Sequence, residues 1–568
     1  PDGLLYMTTG NPDGYKFQVS NGQTLWGESG SLIRCNPDGS NPEILARGFE
    51  NLVEIVFMPG GQIIGTDNWF QRPSGGKRDA LVHLLPGGLY PLHLKDKGTP
   101  QFVNEPLSAI TMFPAVALSG LMRYEGSAFP AEYHDDLFSA QHNARCVGRH
   151  ILKPIRSTFS SEDSQFITSD DPDFHPSDVL EDADGSLLIV DTGGWYVQHC
   201  PTGKIRNSKA PGGIYRVRFD NAAKINDPRG LKIDWDKLSS TDLVQLLSDK
   251  RPVVAHRAQL ILISRGNDSV GPLIKFALKD DRRSRAYLLT FAALGQIDSN
   301  AARAFLSLNL KSATNSIAIQ AAANAVARQR DKGAAEALEY WVPACSSHAR
   351  LACANALALC GRHESIPAIL KSLTDPSVVP EQFLEHALLN ALYHLGTADD
   401  FRQLLAHDHP RVQKAALILL DQPTTKALKP DDLFPRLSST NPDLRATAQS
   451  LLKNHPDWSD HALAYFQRLW ADNNLSPESL SALSDTFVAF SSNPKITDWL
   501  VESLAKTSDH DRKVLLLRTL SRIPPPKNLA SWIAPLRESL YGGYAPDAIA
   551  IINSLQSREF DSDLQKLL

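Results

Sequence analysis

Ser119-Gly-Leu-Met-Arg-Tyr-Glu-Gly-Ser-Ala-Phe-Pro-Ala-Glu-Tyr-His-Asp-Asp-Leu-Phe138 decides the reading of the first 220 or so residues. Two apolar runs flank a loop rich in Gly, Pro and acidic residues, and the second run, Asp136-Leu-Phe-Ser-Ala140, is one copy of a recurring unit. The unit is a turn ending in Gly, an apolar strand and then a polar cluster. Its clearest copies are Asp2-Gly-Leu-Leu-Tyr-Met-Thr-Thr9, Gly60-Gly-Gln-Ile-Ile-Gly-Thr-Asp67 and Asp184-Gly-Ser-Leu-Leu-Ile-Val-Asp191. The turns opening at 2, 60 and 184 lie roughly 58 and 124 residues apart, so the wider gap holds about two units and the region about four. Hairpin signals lie between them, such as Ser31-Leu-Ile-Arg-Cys-Asn-Pro-Asp-Gly-Ser40, and the run Gly213-Ile-Tyr-Arg-Val-Arg-Phe219 closes the region. Radial repetition of such small sheets is the propeller solution to exposed strand edges.

The same residues carry a resemblance. A Ser119-Gly120 turn leading to Tyr124-Glu-Gly-Ser-Ala-Phe-Pro130 and then to a strand opening Asp136-Leu-Phe138 resembles a segment of glucose/sorbosone dehydrogenase-like β-propellers, where that strand is an inner one. With Ser139-Ala-Gln-His-Asn-Ala-Arg-Cys-Val-Gly-Arg-His150 added, the stretch resembles more closely the membrane-bound dehydrogenase domain of planctomycete and verrucomicrobial proteins. That resemblance implies a six-bladed propeller, helical repeats after it, and often a c-type haem domain in the full-length protein. It also implies a periplasmic or cell-surface location. The chain opens Pro1-Asp-Gly-Leu-Leu-Tyr6 as a strand already in progress and stops at Leu568 inside a helical pattern, so we expect truncation at both ends and an incomplete ring of about four blades.

From about Ser240 onward the period becomes helical. Polar turns precede Ala/Leu-rich amphipathic segments at Arg251-Pro252, Ser347-His348, His409-Pro410 and Asn441-Pro442. One helix-face residue, mostly small, recurs at Ala258, Ala286, Ala322, Ala354, Leu388, Ala416 and Ala448, in steps of roughly 28 to 36 residues. This resembles HEAT-type repeats, in which small residues let paired helices approach and Pro sits at helix starts. The expected organisation is multidomain: an all-β propeller over 1–222, a linker over 223–240 and an all-α solenoid over 241–568.

Bulk properties exclude several classes. A length of 568 residues exceeds one core, while 42% hydrophobic and 21% charged residues describe an ordinary globular chain. The net charge of −5 gives no electrostatic case for nucleic acid. The six cysteines form neither Cys-x-x-Cys nor the Cys-x-x-Cys-His of covalent haem attachment, and Cys353 and Cys360 share a helix face as structural thiols.

In a propeller, residues just past the ends of equivalent strands meet around one mouth of the channel. That rule gathers Thr8-Thr-Gly-Asn11, Thr66-Asp-Asn-Trp-Phe70, Gln141-His-Asn-Ala-Arg145 and Asp191-Thr-Gly-Gly-Trp-Tyr196, a mixture suited to a sugar or polyol. His142 is the candidate base, because an imidazole titrates near neutrality. Asp67 and Asp191 are candidates to orient it or to hold a cation. Asn51, Asn68, Arg145, Arg149, His150 and Lys204 are candidates to face a cofactor, and Trp69, Trp195 and Tyr196 to stack on a substrate ring. The bland readings stand beside these: loop histidines, turn aspartates, locally paired arginines and inter-blade tryptophans. The polar insert Asn68–Leu81 is a candidate lid.

The resemblance implies pyrroloquinoline quinone and Ca²⁺ as cofactors. One departure from the sugar-dehydrogenase pattern stands out: where those proteins carry Gly-x-Arg-Asn-Pro, this chain reads Gly48-Phe-Glu-Asn-Leu52, with Glu50 in place of the Arg. Three functions follow. The first is a sugar or polyol dehydrogenase passing electrons to a haem domain outside this chain. The second is a non-catalytic carbohydrate-binding module whose solenoid docks a protein. The third is a Ca²⁺-dependent hydrolase or lactonase.

Overall fold

The structure is a computed structural model and describes residues 2–567 apart from 11–13, 20–21, 23, 71–75, 93–98, 104, 195–208, 280–283, 377–380, 472–482, 485 and 525–528. Its strands form successive antiparallel sheets. The first holds β1 (Leu5–Thr9), β4 (Gly30–Cys35) and β5 (Glu43–Phe49), with β2 (Tyr15–Gln18) and β3 (Thr24–Gly27) as a separate hairpin. The second holds β6 (Leu52–Phe57), β7 (Ile63–Asp67), β8 (Asp79–Leu84) and β10 (Ala109–Phe113), while the short β9 (Gly88–Leu89) pairs parallel with β5. The third runs β11 (Leu118–Arg123), β12 (Leu137–Gln141), β13 (Cys146–Ile155), β14 (Thr158–Thr168), and the fourth β15 (Pro176–Glu181), β16 (Leu187–Asp191), β17 (Gly213–Val217).

The recurring sequence units are thus β1, β7, β12 and β16. The expectation that Asp136-Leu-Phe138 opens an inner strand is not met, because β12 is hydrogen-bonded on both sides, to β11 and to β13. The strands that pack in line from sheet to sheet are the ones before, β6, β11 and β15. Ser119-Gly120 lies within β11 and is not a turn. Its glycine is needed where β15 approaches: a Cβ on Gly120 would stand 2.2 Å from Asp178 Oδ1 and 2.6 Å from Asp178 Cα.

Apolar faces fill the space between sheets. Ile64, Leu81 and Phe113 of the second sheet meet Leu118, Leu121 and Leu137 of the third. Met122, Phe138 and Val147 of the third meet Val179, Leu187 and Ile189 of the fourth. Tyr124, 1% exposed, ties this second seam together: its hydroxyl donates to Gly185 O at 3.0 Å and accepts from Ala128 N (3.0 Å) and Phe129 N (2.9 Å). The Tyr-x-Gly-x-x-Phe-Pro sequence is therefore a loop folded around one buried phenol.

The helices α1 (Ser240–Leu246), α2 (Pro252–Ser264), α3 (Asn267–Ala277), α4 (Arg285–Gln296), α5 (Asn300–Lys311), α6 (Ser316–Gln329), α7 (Ala335–Trp341), α8 (Ser347–Cys360), α9 (Ile366–Thr374) and α10 (Gln382–Leu395) stack in two layers. The even-numbered ones from α2 pack on each other in order, and α3, α5, α7 and α9 form the other layer. Small residues make this close stacking possible, and every repeat-face residue from Ala258 to Ala448 is buried. Pro252 begins α2 at its first position, as Pro410 and Pro442 begin Pro410–Leu420 and Pro442–Leu452.

The chain divides into two compact units, Pro1–Thr397 and Ala398–Leu568. The change from strand to helix falls between Val217 and Ser240, yet the first unit continues to Thr397, because the even-numbered helices bind the sheets. Arg328 Nε donates to Asp2 O (2.7 Å), Gln382 Nε2 to Pro106 O (2.9 Å), and the His83 ring stacks on Phe383 at 5.3 Å. A cleft of about 1990 Å³ remains between sheets and helices. The second unit is helical throughout its described residues, from Ala398–Leu404 to Asp561–Leu567. No helix among the described residues is long and apolar enough to cross a membrane.

Gly120→Ala forces backbone to move on backbone, so we expect a loss of about 2 kcal/mol or more in urea unfolding. An unchanged midpoint would contradict the close crossing of β11 and β15.

Candidate functional site

The ends of β1, β7, β12 and β16 lie at one end of the sheets, opposite the helices. Strand pairing joins them: Gly10 bridges Asn51, Asn51 N donates to Asp67 Oδ1 (2.9 Å), and Thr66 Oγ1 donates to Ser119 O (2.8 Å). His142 N then donates to Ala117 O (3.2 Å), and the His142 ring lies 4.7 Å from that of His175. Asp191 Oδ1 accepts from His175 N (2.8 Å) and Gly193 N (2.9 Å), holding the His175 backbone.

Asp67 is fully buried, and its Oδ2 has no hydrogen-bond partner among the described residues. Burial pushes its carboxyl up to about 7; the Asn51 amide opposes the shift, and the charges of Asp79 and Glu50 add to it. Asp79 stands beside it, accepting at Oδ1 from Trp69 N (3.1 Å) and Arg78 Nε (3.0 Å) and at Oδ2 from Leu118 N (3.3 Å). Burial raises the Asp79 carboxyl as well, against the pull of Arg78. His142 is half-buried, and both burial and the nearby His175 lower its pKa, so the ring is neutral at neutral pH.

The structure brings together Asp67, Asn51, Asn68, Trp69, His142, Arg145 and Asp191. Asn68 Oδ1 accepts from Arg78 Nη2 (3.3 Å), and the Arg78 guanidinium covers one face of Trp69 at 4.5 Å. Trp69 holds φ at 90°, a region that bulky residues rarely adopt. Arg145, also at positive φ, caps the turn after β12. Arg149 and His150 are placed elsewhere. Arg149 binds Asp136 and Glu132 O over the Tyr133 ring, at the far end of its sheet, and His150 is buried between Ser139 (2.7 Å) and Asp163 (2.8 Å). Trp195, Tyr196 and Lys204 lie outside the described residues, as does the central part of the expected lid. The lid's last residues are not loop: Asp79 opens β8, a strand buried throughout.

Sequence reasoning missed Asp79, Arg78 and His175, and a second acidic pair. Glu54 of β6 stands near Asp178 of β15, with β11 between their strands, and its Oε2 accepts from Leu121 N (2.8 Å). Burial first, then Asp178, pushes Glu54 up to about 7. Glu54 was visible as the one charged residue in an apolar run, Leu52-Val-Glu-Ile-Val-Phe57.

The described mouth sets Glu50, Asp67, Asp79 and Asp191 against Arg78 and Arg145, and Arg78 is held by Asp79. That balance does not suit a tricarboxylate quinone. Among the described residues, no three His, Cys, Asp or Glu side chains converge to hold a metal ion. The neutral imidazole and carboxamides suit an uncharged, hydroxyl-bearing ligand.

Residues 1–221 match a family model described as a domain of unknown function, DUF7133, which is less than half of the chain. No curated protein matches. Among solved structures, the chain is similar to a glucose dehydrogenase-type oxidoreductase from Thermus thermophilus (18% identity, 38% of this chain and 62% of that one, TM-score 0.28). It is similar also to a crystallised glucose dehydrogenase (18% identity, 33% and 54% covered, TM-score 0.24). A third likeness is to Kap121p bound to Nup53p (12% identity, 57% and 42% covered, TM-score 0.39). The chain spans less than two-thirds of the length of each. Every one of these TM-scores is below 0.5, so the fold rests on the sheet order and helix pairing described above.

Asp67 keeps its proton to about pH 7 when folded and loses it near 3.8 when unfolded, so folding takes up a proton between those values. Its contribution is full below 3.8 and is lost as pH rises towards 7. Glu54, raised from 4.5 to about 7, acts in the same direction. His83, His142, His348 and His386, whose pKa values burial lowers, act in the opposite direction, so the test is differential. In urea unfolding from pH 5 to pH 8, Asp67→Asn and Glu54→Gln should each gain stability relative to the parent as pH rises towards 7. A pH dependence identical to the parent's in both variants would contradict the burial of these carboxyls.

Proposed function

We propose that the mouth formed by the ends of β7, β12 and β16 binds a sugar or polyol, with His142 accepting a proton from a ligand hydroxyl. The supporting observation is the half-buried His142 ring, kept neutral beside His175 with Asp191 fixing the His175 backbone: a base in its proton-accepting form at neutral pH. Asp67 is a positioning residue on this reading, since it holds the Asn51 amide from beneath and is closed to a ligand. The sheets are four blades of a six-bladed, sugar dehydrogenase-like propeller, and the helices are HEAT-like repeats. Oxidation of a carbinol needs a hydride acceptor, which the resemblance supplies as a quinone with Ca²⁺ and a c-type haem domain of the full-length protein in the periplasm or at the cell surface. The described mouth does not suit that acceptor.

Glu50 favours a second reading, a carbohydrate-binding scaffold without turnover. It occupies the position where the sugar dehydrogenases carry the Arg that approaches the quinone.

Calorimetric titration with a panel of aldoses and polyols tests the site, and the same panel with pyrroloquinoline quinone and Ca²⁺ followed by absorbance tests turnover. We expect sugar binding that Asp67→Asn weakens about tenfold, and any turnover to vanish in His142→Ala. Binding unchanged in both variants would remove the ligand from this mouth.

A further inference from the structure

The cleft between sheets and helices is built from a repeated grip. Asn324, Asn355 and Asn390 are the ninth residues of α6, α8 and α10, so successive helices of the inner layer present a carboxamide at one height. The fifth residues, Gln320, Leu351 and His386, lie one turn earlier on the same face.

Two of these three positions hold a Pro-Gly-Gly turn of the sheets. On α6, Asn324 Nδ2 donates to Gly60 O (2.9 Å) and Gln320 Oε1 accepts from Gln62 Nε2 (2.6 Å), seating Pro59-Gly60-Gly61. On α10, His386 Nε2 meets Pro86 O at 2.9 Å, and Asn390 Oδ1 lies 3.3 Å from where a Cβ on Gly87 would stand, seating Pro86-Gly87-Gly88. Both turns close a bond from the second Gly, Gly61 N to Met58 O (2.8 Å) and Gly88 N to Leu85 O (2.9 Å). Glycine is what fits: a Cβ on Gly60 or Gly61 would come within 2.3 Å of Gln320 or Asn324.

Between them, α8 has the same carboxamide, and among the described residues no glycine turn meets it; the start of α8 lies instead against Thr158 and Phe159, just after the turn that joins β13 and β14. Asn355 Oδ1 and His348 Nε2, seven residues apart on one face, are buried, line the cleft and have no partner among the described residues. The His348 ring packs on that of Phe159 at 4.9 Å beside the Thr158 backbone, and burial lowers its pKa, which keeps it neutral. The Asn355 carboxamide offers an acceptor at Oδ1 and a donor at Nδ2, which matches the N–H and C=O of a peptide unit, and His348 Nε2 adds a second polar atom two turns earlier on the helix. Buried polar atoms left bare are costly.

We propose that α8 is a third seat of this kind, a binding site for a glycine turn of a polypeptide partner that enters the cleft and pairs its backbone with Asn355 and His348. The seat is at the helix-covered end of the sheets, so it is independent of the proposed sugar mouth.

Fluorescence anisotropy of labelled acetyl-Leu-Pro-Gly-Gly-Leu-amide with the full chain tests it. Asn355→Leu keeps helix and volume while removing the carboxamide, and His348→Ala is the second variant should the first fail to fold. We expect saturable binding, weakened about tenfold or more by either substitution and unchanged by Asp67→Asn. Absence of peptide binding, or binding indifferent to Asn355→Leu and His348→Ala, overturns the proposal. So does Asn355-dependent binding of cellobiose in place of the peptide, which would make the cleft a saccharide site.

Discussion

The Tyr124 hydroxyl is the contact on which the third and fourth sheets depend. One buried phenol satisfies two loop amides and the carbonyl of a turn in the next sheet. Leaving those two amides bare would cost roughly 1–3 kcal/mol each. Around it, Phe129 packs on Tyr124 and Tyr133, so the loop that looks polar in sequence is the apolar hinge between two sheets. Once this seam is fixed, β15 must cross β11 at Gly120, and Asp178 is delivered to Glu54.

That crossing separates the two ends of the sheets. β7, β12 and β16 run one way and deliver Asp67, Gln141 and Asp191 to the mouth; the turn before β7, at Gly60-Gly61, meets the helices, as does Asp2-Gly3 before β1. Carboxylates gather in both directions, but with different consequences. At the mouth they are buried near one another, so Asp67 and Asp79 rise. At the cleft, Glu125 meets His256 and Arg123, whose attraction outweighs its burial and holds it down at about 2. Burial raises carboxyls on the cleft side too, Glu54 to about 7 and Glu181 with it, so what sets Glu125 apart is its cationic partners.

Periodicity made the two halves legible, because alternation and the 3.6-residue period respond to burial that each element achieves locally. The helix starts at Pro252, Pro410 and Pro442 were readable for the same reason: Pro in the first turn needs no partner. What a strand packs against was less readable. Ser119-Gly120 reads as a turn by composition, but its glycine answers to Asp178, far along the chain in another sheet. Arg149 and His150 look like site residues because they follow His142 closely; strand alternation and the advance along β13 instead place them in the sheet and at its far end. His175 and Asp79 carried no local signal, since their roles come from the sheets next door. The unit boundary at Thr397 was likewise invisible, being set by side chains of α6 and α10 that bind distant loops, as His386 binds Pro86.

The arrangement has a mechanical logic. A solenoid is stabilised by its neighbours in sequence and leaves one face open; here that face meets the sheets partly through glycine turns, which offer backbone carbonyls to Asn324 and His386, and partly through side chains such as Gln62 and His83. The backbone contacts tolerate sequence change in the sheets provided the turns keep their glycines. The two Pro-Gly-Gly turns then locate the sheets against the helices at two fixed points on α6 and α10. Between those points α8 meets the sheets through His348, whose ring packs on Phe159 of β14 at 4.9 Å, while Asn355, two turns further on, has its Oδ1 buried with no partner among the described residues.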